Sequence, residues 1–132
     1  MKQSILIAAT LFATLFFAAC KKDGHTTNTT LTGKWKLSQN LIDPGDGSGK
    51  WMPVPASAVA YVQFNSDGKL SGTAFPGDVS YVVKDSVTLT FTSKDNMVQN
   101  YRYSIKIDTM TMSPDGPIRC YEACGTKYVK VK

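Results

Sequence analysis

From Leu31 to the C-terminus, apolar and polar side chains alternate one by one in run after run. A period of two puts successive side chains on opposite faces of an extended strand, so one face is offered for burial. Leu31, Gly33, Trp35 and Leu37 share a face in the first run, against Thr32, Lys34, Lys36 and Ser38. Ala60, Val62 and Phe64 alternate with Tyr61 and Gln63, and Val87, Leu89 and Phe91 with Ser86, Thr88, Thr90 and Thr92. Tyr101, Tyr103, Ile105 and Ile107 are separated by Arg102, Ser104 and Lys106. Met110 and Met112 alternate with Thr109 and Thr111, and Val129 and Val131 with Tyr128, Lys130 and Lys132. No window carries a helical stripe; the stretch from Val54 to Ala60 alone has room for a short turn of helix.

Turn chemistry punctuates these runs. Asn65-Ser66-Asp67-Gly68 fits a hairpin whose glycine takes positive φ, Pro114-Asp115-Gly116-Pro117 is a second turn, and Ser93-Lys94-Asp95-Asn96 a third. Short strands joined in this way make a meander, and closing the sheet on itself removes its exposed edges. The pattern predicts an all-β domain, an antiparallel up-and-down β-barrel of about eight strands, over residues 31–132.

The N-terminus is different. Met1-Lys2-Gln3-Ser4 carries one positive charge, an apolar run follows, and small residues precede Cys20. These are the parts of a secretory signal, and the run is shorter than the roughly 18 to 20 residues of a bilayer-spanning helix. Phe17-Ala18-Ala19-Cys20 resembles the lipobox of bacterial lipoproteins, with Phe in place of the commoner Leu. The resemblance implies a cleaved signal peptide over 1–19 and acylation of Cys20. It also implies a lipid-anchored protein in the cell envelope of a Gram-negative bacterium, at its outer membrane. Two or more acyl chains attach a protein stably to a membrane. Residues 20–30, Cys20 followed by Lys21-Lys22-Asp23-Gly24-His25-Thr26-Thr27-Asn28-Thr29-Thr30, add no apolar side chain to a core and are expected to be a flexible tether.

The formal charge of +5 includes Lys2, which leaves with the signal. The remaining lysines are scattered singly, without the clustered stripe of a nucleic-acid footprint, so no nucleic-acid partner is expected. The chain has three cysteines, and lipidation of Cys20 leaves Cys120 and Cys124. In an oxidising compartment this pair is expected to form a structural disulfide that fixes a short loop.

Hydrolytic chemistry finds no members. His25, the single histidine, lies in the tether, Glu122 is the single glutamate, and the aspartates mostly occupy turns. A zinc site would need two ligands beyond Cys120 and Cys124. No enzyme, metal or cofactor is therefore expected. Asp43-Pro44-Gly45-Asp46-Gly47-Ser48-Gly49-Lys50 has Val54 where a calcium loop needs a bidentate Glu, and Trp51 where a phosphate loop needs Ser or Thr. It is expected to be a loop between the first two strands, with Trp51, Met52 and Val54 offering apolar contacts at a barrel mouth. Phe91, Tyr101, Tyr103, Met110 and Met112 are the candidates to line an apolar pocket, with simple core filling as the competing expectation. Asp85-Ser86-Val87 and Asp108-Thr109-Met110 resemble a bacterial O-glycosylation acceptor at Ser86 and Thr109, and also fit polar turns entering strands.

Leu31-Thr32-Gly33-Lys34-Trp35-Lys36-Leu37 resembles the Gly-x-Trp opening of lipocalins, especially the small lipocalin-like domains behind bacterial lipoprotein signals. Tyr61-Val62-Gln63-Phe64 with Asp67-Gly68-Lys69, and Cys120-Tyr121-Glu122-Ala123-Cys124 with Tyr128-Val129-Lys130, are similar to that group as well. The resemblance implies Gly33 and Trp35 as the fold motif, with Trp35 packed across one barrel end. Lipocalins commonly lay an Arg of the last strand over that Trp; here Lys127 and Lys130 stand on it. The implied function is a monomeric, non-enzymatic binding module for a small hydrophobic ligand. The alternative is a filled barrel that meets protein or glycan through its loops.

Overall fold

The computed structural model describes residues 31–132; the expected signal peptide (1–19), Cys20 and the tether (20–30) lie outside the described residues. The described residues form nine strands: β1 (Gly33–Ile42), β2 (Lys50–Pro53), β3 (Tyr61–Phe64), β4 (Leu70–Gly72), β5 (Asp78–Val83), β6 (Thr88–Ser93), β7 (Val98–Lys106), β8 (Thr109–Pro114) and β9 (Gly125–Lys130). They form one antiparallel sheet in the order β4-β3-β1-β9-β8-β7-β6-β5, with β2 also on β1. Strands β2 and β3 share one position, because β2 pairs with Gln39 to Ile42 and β3 with Gly33 to Lys36. The result is an up-and-down sheet of eight positions, nearly closed into a barrel as the alternation predicts. The seam between β4 and β5 is spanned by the Lys69–Ser80 bridge and by the Tyr81 N–H donating to the Gly68 carbonyl at 2.8 Å.

The inward period builds the core. Trp35, Val62, Phe64, Leu70, Leu89, Phe91, Met110, Met112 and Tyr128 are buried, and they come from six of the strands. Leu31, Leu37, Phe75, Tyr81, Tyr101, Tyr103 and Ile105 pack against them while partly exposed. Turns fall where their chemistry predicts. Gly68 has φ of 82° in the β3–β4 hairpin, and Asn96 reaches φ of 61° in the β6–β7 turn, where the Ser93 hydroxyl accepts from the Met97 N–H at 3.1 Å. The 43–49 loop joins β1 to β2 as expected. Its carboxylates serve its own backbone: Asp43 Oδ1 accepts from the Gly45 and Gly47 amides at 2.9 and 3.3 Å, and Asp46 Oδ1 from Ser48 at 2.9 Å.

Several elements depart from the alternation. Residues 54–60 form no helical turn but an excursion that splits β2 from β3, with one bond inside it, from the Ala58 N–H to the Pro55 carbonyl at 2.9 Å. Both ends of the excursion are tied to β1 instead, the Val54 N–H donating to the Ser38 carbonyl and the Leu37 N–H to the Ala60 carbonyl, each at 2.9 Å. In β9 the inward residue is Tyr128, opposite Leu37 on β1 and Met110 on β8, while Val129 and Val131 face outward, 41% and 44% exposed. Val87 and Ile107 fall in turns just beyond their strands and are 49% and 77% exposed.

Candidate functional site

The barrel has two unlike ends. At one lie the start of β1, the end of β9 and the β3–β4, β5–β6 and β7–β8 turns. Trp35 seals this end, fully buried, with its indole N–H donating to the Leu31 carbonyl at 2.7 Å. The Lys130 ammonium stands 5.0 Å from the Trp35 ring centre, and a side chain at Gly33 would crowd the same lysine stem at 3.2 Å. Gly33 and Trp35 thus frame one lysine, in the position where the lipocalin resemblance leads one to look for an Arg. Lys127 instead sits 4.1 Å over Trp51, on the barrel's flank.

The other end carries the 43–49 loop, residues 73–77 between β4 and β5, the 94–97 turn between β6 and β7, and residues 115–124 between β8 and β9. The β8–β9 connection is held down at several points. Gln99 clasps the Ile118 backbone, its Oε1 accepting from the amide at 3.0 Å and its Nε2 donating to the carbonyl at 2.9 Å. The Ser113 hydroxyl donates to the Cys124 carbonyl at 3.0 Å. The Cys120–Cys124 disulfide closes the loop as expected, with the Cα atoms 6.1 Å apart.

Phe75, on the β4–β5 connection, folds into this mouth. Its ring meets Phe91 edge-on at 5.1 Å, Tyr101 at 5.4 Å and Tyr128 at 6.2 Å. Below it Phe91 touches Tyr101 at 4.8 Å and Phe64 at 5.9 Å, and Phe64 meets Tyr81 at 4.9 Å. Edge-to-face and tilted contacts at these distances are the favourable arrangement of aromatic quadrupoles. This cluster runs from the mouth through the interior to Tyr81, whose hydroxyl donates to the Asn65 carbonyl at 2.8 Å beside the β3–β4 turn.

Concavities lie outside the plug. One of about 390 Å3 is lined by Met97, Val98, Tyr101, Pro114, Pro117 and Ile118, with Asp78 at its edge. A second, of about 350 Å3, is lined by Leu41, Phe75, Tyr101, Met112, Pro114 and Gly125. Tyr101 and Pro114 divide the two. Burial, then the Asp78 carboxylate and Tyr128, push the Tyr101 phenol up to about 12, and burial raises the Asp78 carboxyl above its ordinary value. The mouth is therefore apolar with two polar handles side by side, and a neutral phenol there donates or accepts a hydrogen bond at any physiological pH.

The five pocket candidates separate. Tyr101 lines both concavities and Met112 one of them. Phe91 and Met110 are completely buried core residues. Tyr103 pairs with Met112 deeper in the barrel and lines neither mouth concavity. Phe75, which has no alternating run around it, is the mouth residue that pattern reading passes over. Its signal is a lone aromatic in the turn-rich Gly72-Thr73-Ala74-Phe75-Pro76-Gly77. At the acceptor-like tripeptides, the Asp85 carboxylate accepts from the Val87 amide at 2.9 Å beside an exposed Ser86, and Thr109 is a partly buried strand residue paired with Lys106 and Val129. Both fit turns entering strands. Among the described residues no group of three His, Cys, Asp or Glu is placed to hold a metal ion, and no helix is long and apolar enough to cross a membrane. No protein-family model, curated protein or solved structure matches this chain.

Proposed function

We propose that this chain is a lipid-anchored, non-enzymatic binding protein of the bacterial cell envelope, a lipocalin-like barrel that takes a small apolar ligand at its mouth. The anchor rests on Phe17-Ala18-Ala19-Cys20, and the family on Gly33-x-Trp35. The observation that carries the binding reading is the pair of apolar concavities divided by Tyr101, above an interior that Phe75 and Phe91 already fill. A ligand therefore sits under the loops, with its apolar body against Met97, Pro114 and Ile118 and a polar group toward Tyr101 and Asp78.

Native mass spectrometry of the protein purified from its own envelope, with fluorescence titration by fatty acids and hydrophobic dyes, tests this. Trp51 is the reporter to follow, since its ring edge borders Gly125, which lines one of the concavities, while Trp35 lies at the far end. A bound small molecule, displaced by dye and weakened by Tyr101→Ala, is the expected result. An empty protein with unchanged fluorescence would overturn ligand carriage. The rim residues Met97, Ile118 and Tyr121, exposed by 70%, 72% and 107%, favour the second reading in that case: a filled barrel whose loops bind a protein or glycan. For the anchor, Cys20→Ala is expected to abolish acyl labelling and release the domain from membranes; continued labelling would refute the assignment.

A further inference from the structure

Single lysines scattered along the chain converge in the fold. The Trp35 end collects Lys34 and Lys36 from β1, Lys130 and Lys132 from the chain's last residues, and Lys69, Lys84 and Lys106 at its three turns. Against these seven stand Asp67, Asp85 and Asp108, a side-chain net of +4. At the mouth end, Asp43, Asp46, Asp78, Asp95, Asp115 and Glu122 face Lys50, Lys94, Arg119 and Arg102, the last ion-paired to Asp115 at 3.4 Å, a net of −2. Lys127 lies between the ends. The barrel is a charge dipole along its own axis.

Apolar tips occur at both ends and do not choose between them. Val83, Val87, Ile107 and Val131, 44–77% exposed, stand among the lysines of the Trp35 end, and Met97, Ile118 and Tyr121 stand on the acidic mouth. Charge sign chooses. Exposed lysines interleaved with exposed apolar tips suit an anionic lipid surface, where each lysine is attracted and each tip reaches past the head groups. Ion pairs at this end, Lys132 with Asp108 at 3.5 Å and Lys69 with Asp67 at 3.2 Å, are solvent-exposed and leave the net field in place. Chain connectivity points the same way: residue 31 enters at this end, and the residues from Cys20 to Thr30 reach at most about 40 Å.

The geometry points to the Trp35 end as a docking face for the anionic lipid surface of the anchoring membrane, which holds the mouth away from the bilayer. This deepens the anchored-binder reading and rests on it. It means that the ligand or partner is met from the aqueous side and not drawn from the leaflet beneath.

The test is amine-acylation footprinting of the full chain reconstituted into vesicles of phosphatidylcholine alone or rich in phosphatidylglycerol. Lys34, Lys84 and Lys106 are expected to lose reactivity several-fold in the anionic vesicles, with Lys50 and Lys94 unchanged. The protection should vanish in molar salt, where the Debye length shrinks to about 3 Å. Replacing Lys34, Lys84 and Lys106 by Gln should weaken the preference for anionic vesicles about 5-fold per lysine, read as partitioning of the folded variant. Equal protection at both ends, protection of Lys50 and Lys94, or protection by a soluble polyanion but not by vesicles would overturn the proposal. Acyl labelling of Cys20 in the same preparation is a separate readout: protection without labelling sinks the anchor alone, and labelling without protection sinks the docking face alone.

Discussion

Trp35 is asked to do three things: fill one barrel end, cap the Leu31 carbonyl, and carry the Lys130 ammonium on its ring face. Graded substitutions separate these roles. Trp35→Ala removes a fully buried indole, for which large-to-small core changes cost about 3 to 5 kcal/mol. In a domain of this size that lowers Tm by roughly 15 to 30 °C. Trp35→Phe keeps most of the burial. It forfeits one hydrogen bond, worth about 1 kcal/mol, and leaves a gap of a few tens of Å3, worth about 1 kcal/mol more. Lys130→Met should cost less than either, since a partly exposed cation over an aromatic ring contributes about 0.5 to 1 kcal/mol. Urea unfolding followed by circular dichroism measures all three on one scale, with Trp51 left as an independent fluorescence probe. The order Ala, then Phe, then Met is the expected result. A loss below about 1.5 kcal/mol for Trp35→Ala would refute the claim that this end is part of the core. A Lys130→Met loss as large as that of Trp35→Ala would show that the lysine, not the indole, holds the end together.

Other consequences are sharp enough to measure. Gly72 has φ of 121°, and a Cβ there would strike the Tyr61 backbone carbonyl, so Gly72→Ala should cost about 3 kcal/mol by thermal unfolding. Gly47→Ala, at φ of 77° with nothing within 4 Å, should cost only about 1 kcal/mol, and a reversed order would contradict the packing. Reducing Cys120–Cys124 releases a loop with a sequence separation of 4, for which the chain-entropy argument allows about 2 kcal/mol at most. A larger drop in Tm would mean that the loop organises more than the mouth. Burial raises the folded-state phenol pKa values of Tyr101, Tyr103 and Tyr128, Tyr101 to about 12. Their contribution is therefore fully present below the unfolded value near 10 and lost as pH climbs through the raised folded values. Tyrosinate absorbance should show a late-titrating class on the folded protein that disappears in urea; uniform titration near 10 would remove the case for a buried mouth phenol.

Where alternation is clean, the sequence shows the fold plainly. Leu89 and Phe91 between threonines, and Met110 and Met112 among Thr109, Thr111 and Ser113, point inward as their polarity dictates. Strand β9 defeats the same logic, since both of its phases carry apolar residues and a slip of one residue exchanges the faces. Register on β1 and β8 decides for Tyr128, whose ring buries more surface than either valine. Strand β5 has no readable phase at all. Val79, Tyr81, Val82 and Val83 put apolar groups on both faces, and a register shift between Asp78 and Ser80 interrupts the period. Strand β4 has only three residues, and β2 is a fragment split from β3 by the 54–60 excursion, so neither is long enough to show a period.

Pattern encodes face; it does not encode end. Phe91, Tyr101 and Met112 look equivalent as inward residues, yet only the last two line a mouth concavity, because Phe75 folds in from the β4–β5 connection and covers Phe91 at 5.1 Å. What does carry information about the ends is the order of the connections. In an up-and-down sheet alternate connections return to the same end. Here the 65–69, 84–87 and 107–108 turns share the Trp35 end, whereas 43–49, 73–77, 94–97 and 115–124 share the mouth. Laid out by that parity, the lone aromatic Phe75 falls on the mouth, and lysines that look scattered fall into one basic cap. The same parity explains why charge statistics along the chain miss the dipole. Residues that become neighbours at one end are separated in sequence by a full up-and-down pair of strands, farther apart than any local search for a charge run extends.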